Sequence, residues 1–232
     1  MQCSAVIFDL FGTLVGLASN ADNEQVLAEM ARALGVAPEE FVARWNEPGF
    51  SERRWTGAFS NLQQAVEYVL RERGLDVPTA GVAEAVRLRV EAWRRWLRPR
   101  GDAAETLARL RAGGRRTGLI SDCPPEVPAL WRETALAPLV DVAVFSSEVG
   151  IRKPSPRVYH LACEALGVAP EHCVYVGDGG SHELSGAARV GMHPIRIRAP
   201  HEQTYEAYRV EEDTWEGLTI ESLSEILRLV GQ

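Results

Sequence analysis

The residues of this sequence with the clearest capacity for chemistry follow four predicted strands. Asp9 ends one apolar run, Ser121 ends a second, the stretch from Ser146 to Lys153 follows a third, and Asp178 follows a fourth. In an open parallel sheet, ligands bind beyond the carboxyl ends of the strands. Carboxylates, hydroxyls and a lysine gathered at one such edge would suit a phosphate group together with a divalent cation.

Each of these residue types has a specific use at such a site. The carboxylates of Asp9 and Asp178 would supply the oxygen ligands that Mg²⁺ prefers. Ser121, with backbone N–H groups beside it, could hold phosphoryl oxygens, and Lys153 could neutralise their charge. Because aspartate is also a common turn and capping residue, Asp9 alone leaves a purely structural role open.

Short apolar runs form the strands that would position these residues. Val6, Ile7 and Phe8 are β-branched or aromatic and carry no charge, which predicts a strand buried on both faces. Helical patterns alternate with further predicted strands at residues 117–120, 140–145, 174–176 and 194–198. This alternation predicts an α/β fold, a Rossmann-like parallel sheet flanked by helices with right-handed crossovers.

A helical segment interrupts this pattern between residues 16 and 98. Apolar residues recur there at helical spacing, and Pro48 is expected to break one of the helices. Residues 60–63 fit a capping box that would begin another helix. We therefore predict an α/β core of residues 1–15 and 99–232, and a helical cap of residues 16–98 that would lie over the ligand crevice as a lid.

Length and composition exclude several classes of protein. The chain has 232 residues, of which 46% are hydrophobic and 25% charged, as in ordinary globular proteins. Its net charge of −7 argues against nucleic acid or an anionic membrane as a main partner. No apolar run approaches the roughly 20 residues of a membrane span. No signal peptide is evident, and four cysteines without metal-ligand spacing predict reduced thiols in the cytoplasm.

Four motifs give the chain a resemblance to the haloacid dehalogenase-like superfamily of hydrolases. They are DLFGTL at residues 9–14, LISDC at 119–123, Lys153 within GIRKPSPRVYHLA, and VYVGDGGSHELSGA at 174–187. Each motif is weak alone, but all four in this order at these spacings are a strong signal. The resemblance covers the whole chain, with the cap included.

The resemblance implies a nucleophile and a metal site. Asp9 would attack phosphorus in line and form an aspartyl-phosphate. Mg²⁺ would be bound by the Asp9 carboxylate, the Phe11 backbone carbonyl and Asp178. Glu183 stands where the family has a second acid, and it would act as an outer ligand or hold a water on the metal.

The resemblance also implies residues that bind the phosphoryl group. Ser121 would hold one phosphoryl oxygen, and Lys153 would hold the nucleophile and the phosphoryl group together. Three further residues are candidates for substrate binding: Gly12, Thr13 and Asp122, the last of which could equally cap a strand end. These roles predict a Mg²⁺-dependent hydrolase of small phosphorylated molecules, acting as a monomer or a homodimer.

The sequence departs from the family pattern at residue 11. Most phosphatases of the family have a second aspartate there as general acid and base, whereas the phenyl ring of Phe11 cannot transfer a proton. Loss of a positioned general acid typically costs a factor of about 10²–10⁴ in rate. Three functions therefore stay open: a phosphatase, a metal-free 2-haloacid dehalogenase with an aromatic residue at this position, and a non-catalytic phosphometabolite-binding protein.

The acidic residues of the fourth motif favour the phosphatase. Dehalogenases usually lack its Gly-Asp pair, and Asp178 with Glu183 would repel a haloacid carboxylate. Retention of Asp9, Lys153 and Asp178 argues against a purely structural domain, which has no need to gather this charge.

Several residues of the predicted cap could still contribute to the site. An arginine could bind a substrate carboxylate and a glutamate could replace the missing acid, although each also fits a solvated helix face. The candidates are Arg44, Arg53, Arg54, Glu47 and Glu52. The tryptophans at 45, 55, 93 and 96 are mostly expected to be packing residues.

Overall fold

A parallel sheet forms the centre of the fold in the computed structural model, which describes residues 3–75, 78–198 and 215–231. The strands are β1 (Ala5–Phe8), β2 (Arg116–Ser121), β3 (Val142–Phe145), β4 (Cys173–Gly177), β5 (His193–Ile197) and β6 (Thr219–Ile220). They form one six-stranded sheet in the order β3-β2-β1-β4-β5-β6, and every neighbouring pair is parallel. The predicted α/β fold is therefore confirmed.

Eleven α-helices accompany the sheet within the described ranges. They are α1 (Asn20–Leu34), α2 (Pro38–Trp45), α3 (Pro48–Trp55), α4 (Leu62–Arg71), α5 (Thr79–Trp96), α6 (Ala103–Ala112), α7 (Val127–Trp131), α8 (Ser146–Val149), α9 (Pro156–Leu166), α10 (Glu183–Arg189) and α11 (Ile226–Leu229). From α6 to β5, at least one helix separates each strand from the next, as the sequence predicts.

Strand β1 lies in the middle of the sheet and is buried on both faces. Successive side chains of a strand point to opposite faces. Accordingly, Val6 and Phe8 pack into one hydrophobic cluster, while Ala5 and Ile7 pack into another. Full burial of an aliphatic or aromatic side chain contributes about 1.5–3 kcal/mol relative to exposure. The apolar run that predicted this strand is therefore also what fixes it at the centre.

The register of β1 brings the polar strand ends together. Phe8 is level with Leu119 of β2 and with Val176 of β4. Asp9 is the first residue after β1, and it therefore lies one residue short of the level of Ser121 in β2 and of Asp178 after β4. The predicted meeting of these residues at a single edge follows from this alignment.

Helices α1 to α5, which we call the helical insert, form a hydrophobic cluster of their own. Leu27 and Met30 of α1, Phe41 of α2, Phe50 of α3 and Val66 of α4 are all buried in it. Within the described residues between Asn20 and Trp96, no strand is present, as predicted. The use of this insert as a cap with boundaries at 16 and 98 stays a prediction.

One detail of the helical insert matches the sequence prediction and one differs. The helical run is broken before Pro48, since α2 ends at Trp45 and Pro48 begins α3, where its missing N–H group costs nothing. Helix α4 begins one residue later than the predicted capping box. Its N-cap is Asn61, whose side chain accepts a hydrogen bond from the Gln64 backbone N–H at 3.0 Å.

In the carboxyl-terminal part, the structure confirms one predicted capping box and contains one strand that the sequence did not predict. Ser222 and Glu225 form the predicted capping box, which opens a short 3-10 helix before α11. Strand β6 has only two residues, too few to produce a recognisable alternation of apolar and polar residues.

The four cysteines are unpaired and buried, as predicted. They are Cys3, Cys123, Cys163 and Cys173. Burial raises the pKa of the Cys123 thiol, which favours a packing role over reactivity. Every helix in the described ranges is too short or too polar to cross a lipid bilayer.

Candidate active site

A buried lysine connects two carboxylates at the carboxyl end of β1. Lys153 Nζ donates to Asp9 Oδ1 and to Glu183 Oε2, each at 2.5 Å. All three side chains are almost completely shielded from solvent. Burial alone would lower the pKa of Lys153, but Asp9 and Glu183 outweigh it and raise that pKa well above its usual range. The ammonium group is therefore a fixed positive charge beside Asp9.

Glu183 is held in place by neighbours on three sides. Besides Lys153, the Tyr175 hydroxyl donates to Glu183 Oε2 at 2.8 Å, and the Gly179 backbone N–H donates to Oε1 at 3.0 Å. Sequence analysis missed Tyr175, although its place in β4, two residues before Gly177, puts it on the same face as that strand end.

The turn before Glu183 has an unusual backbone. Ser181 and His182 have φ angles of 55° and 53°, a left-handed region that costs a non-glycine residue on the order of 1–3 kcal/mol. Such strain is maintained only where the surrounding structure over-determines it. Here it places Glu183 at the first position of α10, with its carboxylate directed at Lys153.

Asp178 follows β4 and approaches the loop after β1 very closely. Its Oδ1 accepts a hydrogen bond from the Gly180 backbone N–H at 3.0 Å. A Cβ atom at Gly12 would lie 2.2 Å from Asp178 Oδ2, and Gly12 has a φ angle of +77°. Only glycine can adopt this left-handed φ angle without strain and also leave room for the Asp178 carboxylate. Gly12 therefore contributes space and backbone geometry to the site rather than a side-chain contact.

Three carboxylates converge at this edge of the sheet. Ligand oxygens of Asp9, Asp178 and Glu183 all lie within 4.8 Å of one another. Burial raises the pKa of Asp9 to about 6, the charge of Lys153 opposes that rise, and the charge of Asp178 adds to it. Burial likewise raises the pKa of Glu183 well above its usual range. Three acids with one ammonium group are short of positive charge, and their oxygen donors fit a hard divalent cation.

A cavity of about 210 Å³ opens onto this cluster. Of the predicted site residues, Asp9, Phe11, Asp122, Lys153, Asp178 and Glu183 line it. Ser121 and Thr13 are fully buried and do not line it. No described nitrogen or oxygen is in hydrogen-bond geometry with Ser121 Oγ.

Asp122 anchors the loop that carries Lys153. Its Oδ1 accepts from the Lys153 backbone N–H at 3.0 Å, and its Oδ2 accepts from Arg152 Nε at 3.4 Å. These contacts join the loops after β2 and β3. They favour a positioning role for Asp122 over the capping of its own strand.

The helical insert supplies the opposite wall of the cavity. Four tryptophans line it, Trp45, Trp55, Trp93 and Trp96, so the expectation that they mostly serve packing was incomplete. Phe11 contacts this wall, with its ring centroid 5.4 Å from that of Trp93.

Among the charged candidates of the predicted cap, Arg54 is the one that lines the cavity. Arg44 forms ion pairs with Glu47 and Glu72, and Arg53 stacks on the Tyr68 ring at 4.6 Å. Glu52 pairs with Arg152 at 2.5 Å.

Sequence analysis missed Arg89 and Asn23, which also line the cavity. Arg89 occupies the buried face of α5 together with Val82, Ala85 and Ala92. An arginine at a buried position of an amphipathic helix was the available signal.

Comparison with known proteins agrees with the motifs. The family model for haloacid dehalogenase-like hydrolases matches residues 3–191. The chain belongs to this family. It is therefore a hydrolase.

Members of this hydrolase family with different named activities resemble the chain. Glyceraldehyde 3-phosphate phosphatase of Methanopyrus kandleri is 32% identical over 60% of each chain. Hexitol phosphatase A of Escherichia coli is 29% identical over 86% of this chain and 85% of its own. (S)-2-haloacid dehalogenase 4A of Burkholderia cepacia is 26% identical over 83% of this chain and 82% of its own.

The fold also matches solved structures of the family. A phosphatase from Thermococcus onnurineus superimposes with a TM-score of 0.67, at 24% identity, over 98% of both chains. At this identity the likeness supports the fold alone.

Proposed function

We propose that this hydrolase is a Mg²⁺-dependent phosphatase of small phosphate esters, with Asp9 as its nucleophile. The observation that carries the proposal is the convergence of Asp9, Asp178 and Glu183, with ligand oxygens within 4.8 Å of one another, beside the buried Lys153. This arrangement suits the charge of a phosphoryl group with a cation. Relatives named as phosphatases support the same reaction class.

In the proposed reaction, Asp9 attacks phosphorus in line with the bond to the leaving alcohol. A bond forms between a carboxylate oxygen and phosphorus while the bond from phosphorus to the alcohol oxygen breaks. Water then attacks the aspartyl-phosphate, releasing inorganic phosphate and restoring Asp9. Throughout, Lys153 keeps its positive charge beside the reacting group and orients the Asp9 carboxylate.

The proposed metal ligands are the carboxylates of Asp9 and Asp178 and the Phe11 backbone carbonyl. Glu183 is held by Lys153, Tyr175 and the Gly179 backbone, which suits an outer position. Bound Mg²⁺ would neutralise phosphoryl charge and favour the ionised form of the acids.

The absence of an acid at residue 11 limits the leaving groups. The described acidic residues that line the cavity are Asp9, Asp122, Asp178 and Glu183, all outside the helical insert. Neither Glu47 nor Glu52 replaces the missing aspartate there. The leaving alcohol therefore takes its proton from solvent, and we expect esters of acidic alcohols to react fastest.

A 2-haloacid dehalogenase is the second candidate, because Phe11 is aromatic and a relative has that activity. In that reaction, Asp9 would attack carbon and displace halide without a metal. The repulsion between the haloacid carboxylate and the buried acids makes this reaction less favourable.

One assay separates the two candidates. We expect phosphate release from p-nitrophenyl phosphate with Mg²⁺, its loss in EDTA, and no halide release from 2-chloropropionate. Asp9→Asn should abolish turnover, whereas the exposed Asp22→Asn should leave it unchanged. Metal-independent halide release would establish the dehalogenase, and full activity of Asp9→Asn would remove Asp9 from its assigned role.

A further inference from the structure

Five aromatic rings line the same cavity as the charged groups at the carboxyl end of β1. One belongs to Phe11, and the helical insert supplies the others, Trp45, Trp55, Trp93 and Trp96. The cavity therefore combines a charged part, which includes Asp9 and Lys153, with an aromatic part. A ligand that fills both parts needs an anionic group joined to an apolar one.

Phe11 continues the aromatic surface from the loop after β1 into the helical insert. Its ring centroid is 5.4 Å from that of Trp93, and Trp96 meets Trp93 edge to face at 5.1 Å. Phe11 follows Asp9 by two residues, so their Cα atoms are at most about 7 Å apart. A ring bonded to phosphorus through one oxygen can therefore contact this surface while its phosphoryl group lies beside Asp9.

Arginine side chains hold the tryptophan rings in place. The guanidinium group of Arg89 lies over Trp93 and Trp96, 5.0 Å from each ring centroid. That of Arg54 lies 4.5 Å from the ring centroid of Trp45. A guanidinium plane is also a surface on which an aromatic ring can stack. Because these contacts order the rings before a ligand arrives, binding of a planar group costs less conformational entropy.

The chemistry at residue 11 favours the same kind of leaving group. Phe11 has no proton to give to the leaving oxygen. Among the described residues of the helical insert that line the cavity, none carries a carboxyl group. A phenol has a pKa of about 10, several units below that of an alkyl alcohol. Phenolate therefore leaves without a proton far more readily than an alkoxide does.

We infer that the substrate is the phosphate monoester of a phenol with a single ring, and that this ring packs against Phe11, Trp93 and Trp96. The inference rests on the proposed phosphatase function. Asp9 forms its bond to phosphorus as the bond to the phenolic oxygen breaks, and the phenolate takes its proton from solvent.

The size of the cavity limits the leaving group to one ring. Its volume of about 210 Å³ exceeds the roughly 150 Å³ at which an apolar cavity binds one benzene molecule. It is below the roughly 300–1,000 Å³ of pockets for drug-sized ligands. One ring with its phosphoryl group therefore suits the space better than a larger fused system.

Four esters separate recognition of the ring from acidity of the leaving group. Phenyl phosphate and hexafluoroisopropyl phosphate have leaving alcohols of similar acidity, but only the first has a ring. Benzyl phosphate and cyclohexylmethyl phosphate form a second pair of similar size, both with weakly acidic alcohols. Within each pair, in Mg²⁺, we expect kcat/KM to be about three- to tenfold higher for the aromatic ester.

Substitutions in the aromatic surface should reduce this preference. Trp96→Leu keeps an apolar side chain but removes the ring, so the preference for benzyl over cyclohexylmethyl phosphate should fall below about twofold. Trp93→Leu should have the same effect, whereas Trp93→Phe, which keeps a ring, should retain most of the preference. Tyr68→Leu is the control, since it removes a ring of the insert that does not line the cavity. An unchanged preference in both leucine variants at residues 93 and 96 would overturn the inference.

Binding without turnover distinguishes failure of this inference from failure of the proposed function. In Asp9→Asn with Mg²⁺, isothermal titration calorimetry should show tighter binding of benzyl phosphate than of cyclohexylmethyl phosphate, and Trp96→Leu should remove the difference. Equal kcat/KM and equal affinity within both pairs would overturn the aromatic subsite and leave the phosphatase intact. If no ester is hydrolysed but the binding difference depends on Trp96, the phosphatase fails and the aromatic subsite stands.

Discussion

Asp9 combines a reactive position with an unfavourable electrostatic environment. It is buried beside Asp178 and Glu183, and Lys153 is the ammonium group that contacts it. The resulting pKa of about 6 means that ionised Asp9 costs free energy in the metal-free native state. This cost is the expected consequence of concentrating negative charge where a cation and a phosphoryl group are to bind.

The raised pKa of Asp9 predicts a pH-dependent gain of stability in Asp9→Asn. Its native pKa of about 6 exceeds the ordinary 3.8, so the native state binds the proton more tightly than the unfolded chain. The destabilisation of the wild-type native state by ionised Asp9 therefore grows as pH rises from about 4 to 6, and it persists above that range. In EDTA, the melting temperature of Asp9→Asn relative to wild type should be a few degrees higher at pH 8 than at pH 4.5. An equal difference in melting temperature at both pH values would show that the raised pKa of Asp9 is not what destabilises the wild type.

Phe11 provides a second prediction at the level of a single residue. Because its ring lines the cavity, Phe11→Asp places a carboxyl group where the reaction lacks an acid. The rate of alkyl phosphate hydrolysis should rise at least tenfold, and that of p-nitrophenyl phosphate should change less. Phe11→Asn is the control, since it removes the contact with Trp93 without adding a proton donor. A rise in both variants would attribute the effect to space rather than to acid catalysis.

The loop between β1 and the helical insert positions the site through backbone geometry. Gly12 lies against the Asp178 carboxylate and holds a left-handed conformation. Neighbouring Arg100 reinforces this loop by donating to the Gly12 carbonyl oxygen at 2.7 Å. The meeting of the loops after β1 and β4 therefore depends on a residue without a side chain.

Gly12→Ala should separate metal binding from folding. Its Cβ would push Asp178 away from the site, so the rise in melting temperature that Mg²⁺ gives the wild type should be mostly lost. Gly35→Ala is the matched control, because Gly35 also has a left-handed φ angle, +70°, and a Cβ there meets no atom within 4 Å. Differential scanning fluorimetry over a Mg²⁺ titration measures both variants. An unchanged Mg²⁺ response in Gly12→Ala would show that Asp178 is not a ligand.

The elements differ in how far the sequence alone could define them. Buried parallel strands such as β1 and β4 are continuous apolar runs, so their polar ends, Asp9 and Asp178, could be predicted before the fold was known. The positions of the cavity-facing tryptophans could not be predicted, because the direction of a side chain on a helix depends on how that helix packs against the others. The contact of Tyr175 with Glu183 likewise requires the strained turn at Ser181.

At the scale of the whole molecule, one arginine joins the helical insert to the rest of the chain. Arg152 stacks on Trp55 at 4.6 Å, pairs with Glu52 of α3 at 2.5 Å, and reaches Asp122 at 3.4 Å. Asp122 in turn holds the Lys153 backbone. A shift of the helical insert would therefore be transmitted through Arg152 and Asp122 to Lys153, which contacts Asp9.

Glu52→Gln should weaken this connection without touching the cavity. We expect KM for p-nitrophenyl phosphate to rise about two- to fivefold, the usual effect of a partly exposed ion pair, with little change in kcat. The effect should disappear in 0.5 M salt, which screens such pairs. Glu164→Gln, which breaks an exposed pair with Arg157 within α9, outside the insert, is the control. A similar KM change in both variants would rule out a specific role for Glu52.

The uneven distribution of tryptophan and cysteine equips the chain with two separate internal reporters. Four of its six tryptophans belong to the helical insert, while all four cysteines lie outside it and are buried. Fluorescence thus reports mainly on the insert, and the rate of thiol labelling reports on opening of the sheet region. Following both in one denaturation experiment would reveal whether the helical insert and the sheet region unfold together or one after the other, with no mutation introduced.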